Sequence, residues 1–109
     1  MLFMVRFDVT QPANVGNDDL IAIWLREAEA AIGAMDAGAV PHLWKVAGRR
    51  VVIGVIDLPT AEDLDRALGG LPIIREMGAG VMTEAWPIYD YRTFADDLRA
   101  GAHGAARAD

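Results

Sequence analysis

The chain has 109 residues, 53% of them hydrophobic, no cysteine and a formal net charge of −6. That length gives one domain with a core of its own, and the acidic balance, with Lys45 the single lysine, argues against a nucleic-acid surface. Without cysteine there is no disulfide framework, thiolate metal site or cysteine nucleophile, and no apolar run reaches membrane-spanning length.

Residues 2–9 alternate, with Phe3, Val5, Phe7 and Val9 on one face and Met4, Arg6 and Asp8 on the other, so this stretch predicts a strand committed to a core. Residues 17–38 predict a long amphipathic helix, with Asn17 as N-cap, Asp18 and Asp19 at the positive dipole end, and Gly38 closing the other end in the left-handed conformation. At about 100° per residue, Leu20, Ile23, Trp24, Ala31 and Met35 fall within one broad apolar arc, and Glu27 projects into the middle of it. Residues 40–47 predict a second strand entered through Pro41, with His42, Trp44 and Val46 on one face and Leu43, Lys45 and Ala47 on the other. A turn at Gly48-Arg49 leads to a third strand over 50–57, apolar on both faces as a central strand is. Pro59 and Thr60 open a second helix, with Thr60 and Asp63 set as a capping box and Gly69-Gly70 as the stop. A short helical turn is expected up to Met77, then a fourth strand over 80–86 ended by Pro87. A tail over 88–109 follows, sticky at Tyr89, Tyr91 and Phe94 and frayed over its Ala/Gly-rich residues 100–109.

The order β-α-β-β-α-β is that of an α+β, ferredoxin-like fold: a four-stranded antiparallel sheet with two helices on one face. The domain is expected over residues 1–87, with the tail 88–109 partly ordered or packed on a neighbouring subunit. The bare sheet face predicts a homo-oligomer, because large apolar patches rarely stay exposed. The opening residues carry no basic region before a long apolar run, so no secretory signal is expected and a cytoplasmic location is.

Glu27 is the residue to explain. A carboxylate within an apolar arc is either relieved by a core cation or by solvent at the helix edge, or it carries a raised pKa suited to proton transfer near neutrality. Arg6, His42, Trp44 and Lys45 are its candidate strand partners. His42 titrates near neutrality, and Arg6 or Lys45 would neutralise an anionic ligand. For each, a structural role stands beside the functional one: a satisfied strand histidine, packing tryptophans at Trp24 and Trp44, solvated strand cations. The second histidine, His103, is far away in sequence, and no metal-ligand spacing is present. No phosphate loop, dinucleotide fingerprint or nucleophile elbow appears either. Acid/base chemistry without metal or cofactor remains.

The opening Met1-Leu2-Phe3-Met4-Val5-Arg6-Phe7-Asp8-Val9, the block Pro41-His42-Leu43-Trp44-Lys45-Val46-Ala47-Gly48, Asp57-Leu58-Pro59 and Gly70-Leu71-Pro72 resemble the muconolactone delta-isomerase family over residues 1 to 87. The resemblance implies a subunit of the dimeric α+β barrel type, assembling as a dimer and within the family up to a decamer. It implies a cofactor-independent isomerase of the 3-oxoadipate branch of aromatic catabolism, moving a double bond in a small carboxylated lactone. It places Glu27 where the family carries an acidic residue, and His42 and Lys45 on matching family positions, the last usually arginine, which implies catalytic roles for Glu27 and His42; substrate binding is expected at Arg6, Trp24, Trp44 and Lys45. The chain departs from the family pattern at Met4, where a histidine is common, in the apolar third strand and in the longer tail. Those departures fit a natural-product isomerase, cyclase or dehydratase acting on a larger cyclic ketone; the other alternative is a non-catalytic ligand-binding or assembly module in which Glu27 is merely ion-paired.

Overall fold

Alternation along the first segment builds β1 (Leu2–Val9), whose Phe3, Val5, Phe7 and Val9 are all buried. β1 pairs antiparallel with β3 (Val51–Asp57) on one side and β4 (Val81–Ile88) on the other, and β3 pairs antiparallel with β2 (His42–Lys45). The sheet order is therefore β2-β3-β1-β4, with β1 and β3 central. The structure, a computed structural model, describes residues 1–102, so His103 and the last part of the expected frayed end lie outside the described residues.

Registered partners share a face. Val5 is opposite Gly54 and Ala85, and Gly54 is opposite Leu43, so these residues lie on the face covered by helices. That face meets α1 (Asn17–Asp36), α2 (Ala61–Gly69) and α3 (Pro72–Met77). Their contributions to the core are Leu20 and Ile23 from α1, Leu64 from α2, and Ile73 and Met77 from α3, all packed with the inward residues of β1. The opposite face carries Arg6, His42, Trp44, Glu84 and Trp86 and is covered by no helix among the described residues.

Several boundaries differ from the sequence reading, each for a local reason. The N-cap of α1 is Gly16, with no side-chain cap, and Asn17 is already helical. Gly38 does take the left-handed conformation, at φ 87°. β2 is shorter than expected, because the turn begins at Val46, whose carbonyl accepts from the Arg49 N–H at 3.3 Å. β4 runs through Pro87 to Ile88, which an edge strand tolerates since its outer N–H has no ladder partner. Thr60 caps α2 as expected, its Oγ1 accepting from the Asp63 N–H at 3.1 Å.

The first part of the tail is a helix, α4 (Tyr91–Arg99), capped by Asp90, whose Oδ1 accepts from the Arg92 N–H at 2.7 Å. Tyr91, Phe94, Ala95 and Leu98 make an apolar stripe at helical spacing. Tyr91 and Leu98 are 77% and 47% exposed, and α4 has no extensive packing against another described element. No helix among the described residues is long and apolar enough to cross a membrane.

Candidate functional site

Between α1 and the covered sheet face lies a cavity of about 450 Å³. Val5 and Phe7 from β1, Val52 and Ile56 from β3, and Ala31 and Met35 from α1 form much of its wall. The small alanines on α1 leave the space: Ala28, Ala31 and Ala34 line it where larger side chains would close it. Among the described residues, the charged side chains on its lining are Glu27 and Lys45.

Glu27 reaches the cavity because it sits one turn beyond Ile23 on the inward face of α1. It is half-buried, and its Oε1 accepts a hydrogen bond from the Ile73 N–H at 3.0 Å. That donor is an orphan of α3. Pro72 occupies the first turn and Leu71, the N-cap, offers no side-chain acceptor, so a carboxylate from another helix satisfies the amide instead. Burial pushes the Glu27 carboxyl above its ordinary 4.5, and the Ile73 hydrogen bond offsets part of the rise. No described group bonds to Oε2. One oxygen is thus held while the other is available to exchange a proton.

Lys45 borders the cavity from edge strand β2. Its ammonium donates to the Val46 carbonyl at 2.9 Å and to the Arg49 carbonyl, which fixes it over the β2–β3 turn. An ammonium has three donors, so one remains for an anionic group. Trp24 lines the cavity one turn before Ala28. Trp24 and Ala28 also border a shallow groove of about 420 Å³ with Leu20, Ile21, Leu25 and Arg50. Trp44 touches the rim of the cavity, while its ring stacks on His42 with centroids 5.4 Å apart and planes 3° from parallel.

The structure therefore brings together Glu27, Trp24, Lys45 and the edge of Trp44. It does not bring Arg6 or His42 to Glu27. Strand alternation sends both to the opposite sheet face, where the Arg6 Nε donates to Asp8 Oδ1 at 2.9 Å and His42 is exposed beside Trp44. The Ile73 amide is the participant that sequence reasoning missed. Pro72 signals an orphan N–H just after it, but nothing in the sequence says which side chain, 46 positions away, would accept it.

Three comparisons bear on this site. A family model described as muconolactone delta-isomerase matches residues 1–88. The muconolactone delta-isomerase of Acinetobacter baylyi is 32% identical over 82 residues, which cover 75% of this chain and 85% of that protein. That of Pseudomonas aeruginosa is 31% identical over 77 residues, covering 71% and 80%. A crystal structure of muconolactone isomerase at 3.3 Å resolution superposes with a TM-score of 0.70 at 27% identity, covering 83% of this chain and 90% of that one.

Proposed function

The chain belongs to the muconolactone delta-isomerase family and is an isomerase of that kind, and from this premise we propose that it converts muconolactone to its enol-lactone with Glu27 carrying the proton. The observation that carries the role of Glu27 is its placing: a half-buried carboxylate in an apolar cavity, one oxygen fixed by Ile73 and the other open.

The chemistry follows from that geometry. The substrate's ring carbon bearing the carboxymethyl group is acidified by conjugation, through the double bond, to the lactone carbonyl. Glu27 takes its proton, and the electron pair moves into the ring as a dienolate. The now protonated Glu27 returns a proton to the carbon beside the carbonyl, which leaves the double bond shifted and the carboxylate regenerated. A carboxyl group with a raised pKa serves both halves, since it is a usable base and a usable acid near neutrality. Lys45 holds the substrate's carboxylate and steadies the dienolate charge, and an apolar cavity strengthens that interaction relative to water. Trp24 and Trp44 supply walls against which a flat ring packs. The steps are proton transfers, so they call for no redox or group-carrying cofactor.

Arg6 and His42 are assigned no step within one subunit, because the sheet separates them from Glu27. Their face also exposes Met82, Trp44 and Trp86, which supports covering by a second copy and hence a homodimer, with a decamer as the larger assembly. The body at residues 1–87 and the amphipathic α4 divide the labour: α4 packs on a neighbouring subunit. A cytoplasmic location completes the proposal. Family membership favours this isomerase over the larger-ketone enzyme and over a non-catalytic module.

The test is turnover of muconolactone by the purified protein, followed by ultraviolet absorbance and by proton NMR in D₂O. Enol-lactone formation with deuterium entering the ring supports the reading. A folded protein that leaves muconolactone unchanged refutes the substrate.

A further inference from the structure

Adjacent residues of α1 make two contacts with the same short helix. Glu27 accepts from the Ile73 N–H at 3.0 Å, and one position earlier Arg26 forks onto Glu76, its Nε donating to Oε2 at 3.2 Å and its Nη2 to Oε1. α3 is six residues long and has no side-chain N-cap of its own. It lies between Gly69-Gly70 on one side and Gly78, at φ 34°, on the other, so little in its local sequence fixes its rotation. Ile73 and Met77 anchor its inner side in the core. Glu76, three residues after Ile73, fixes its outer side to α1. A two-bond guanidinium–carboxylate fork is directional, which suits it to set an orientation. As an exposed pair it adds little to stability.

We propose that Arg26 and Glu76 are a positioning pair: their fork holds α3 so that the Ile73 amide stays on Glu27 Oε1, which reserves Oε2 for the proton. The pair touches no substrate and acts through Ile73. Its catalytic meaning rests on the reading of Glu27 as proton carrier, but the positioning itself does not.

Two explanations for any effect on Glu27 are separable by sign. Charged side chains on the elements around Glu27 are Arg26 beside it on α1, Arg75 and Glu76 on α3 and Lys45 on β2, while the β1 and β3 residues lining its cavity are apolar and Arg6 and His42 lie beyond the sheet. If the pair acted only as two charges, removing the cation would raise the Glu27 pKa and removing the anion would lower it. If it acts by positioning, either removal frees the Ile73 amide and raises the pKa.

The experiment is a carbon-13 NMR titration of the Glu27 carboxyl, with hydrogen exchange at the Ile73 amide. It compares the wild type, Arg26→Met, Glu76→Gln and the exchanged pair Arg26→Glu with Glu76→Arg. Both single variants should titrate higher by about half a unit, roughly a threefold change in the protonation equilibrium. Ile73 should lose exchange protection in both, and the exchanged pair should restore both signals towards the wild type. Shifts of opposite sign, or no shift with Ile73 still protected, would overturn the proposal. No substrate is involved, so an absence of turnover on muconolactone would leave this result standing, and the reverse also holds.

Discussion

Gly54→Ala should loosen the strand that carries Lys45 to the cavity. Gly54 lies on central β3, between Val5 and Leu43 on the helix-covered face. A Cβ there would sit 2.7 Å from Leu43 Cδ1 and 2.8 Å from the His42 carbonyl oxygen. Leucine's end can rotate away. The carbonyl cannot, because it belongs to β2, so β2 must move off β3 by several tenths of an ångström. Overpacking of this kind costs about 1–3 kcal/mol, and lower chain entropy in the unfolded state returns about 0.4–1 kcal/mol. A net loss of about 1–2 kcal/mol corresponds to a fall of roughly 5–15 °C in Tm for a domain of this size. Thermal unfolding by circular dichroism reads it, with Gly33→Ala as the control. Gly33 lies within α1 with nothing within 4 Å of its added Cβ, so that change should stabilise by about 0.5–1 kcal/mol. If Gly54→Ala melted within about 2 °C of the wild type, the close approach of β2 to β3 would be wrong, and with it the placing of Lys45.

Glu27→Gln should change how stability depends on pH. The folded-state pKa lies above the ordinary value, so between the two the native state binds more protons than the unfolded chain and stability falls as pH rises. Glutamine removes that slope, so the variant should be more stable than the wild type above the window, read as urea midpoints from pH 4 to pH 8; parallel curves would argue against a desolvated carboxyl. Lys45→Met should raise KM for muconolactone roughly tenfold or more with a smaller effect on kcat, the usual worth of a charged hydrogen bond. An unchanged KM would remove Lys45 from substrate binding. Tyr91→Ser with Leu98→Ser should shift sedimentation towards smaller species if the exposed stripe of α4 packs on a neighbour, and an unchanged profile would count against that packing.

Much of the architecture was legible because its signals are local. Alternation at Phe3, Val5, Phe7 and Val9 marked β1 and its buried face, and helical spacing placed Glu27 among apolar neighbours. The first part of the tail holds a helix that its aromatic residues alone do not announce. Asp90 followed by Tyr91, Phe94, Ala95 and Leu98 is a cap with an amphipathic stripe, legible only from the helical period. Site partners were harder, because they are fixed by long-range register. Arg6 and His42 looked like neighbours of Glu27 until the pairing of β1, β2 and β3 assigned them to the other face. The Ile73 amide carries no side-chain signature at all. Lys45 was legible as a strand cation able to meet an anionic ligand, and the two carbonyls that hold it became visible with the turn itself.

The most direct test of Glu27 as proton carrier is the kcat of Glu27→Gln on muconolactone, with deuterium incorporation followed in parallel. Glutamine can still accept the Ile73 hydrogen bond through Oε1, so α3 keeps its place and only proton exchange is lost. A loss of about a hundredfold or more in both signals is predicted, the typical worth of positioned acid/base catalysis. A folded variant that retains kcat within a few-fold of the wild type would show that another group moves the proton.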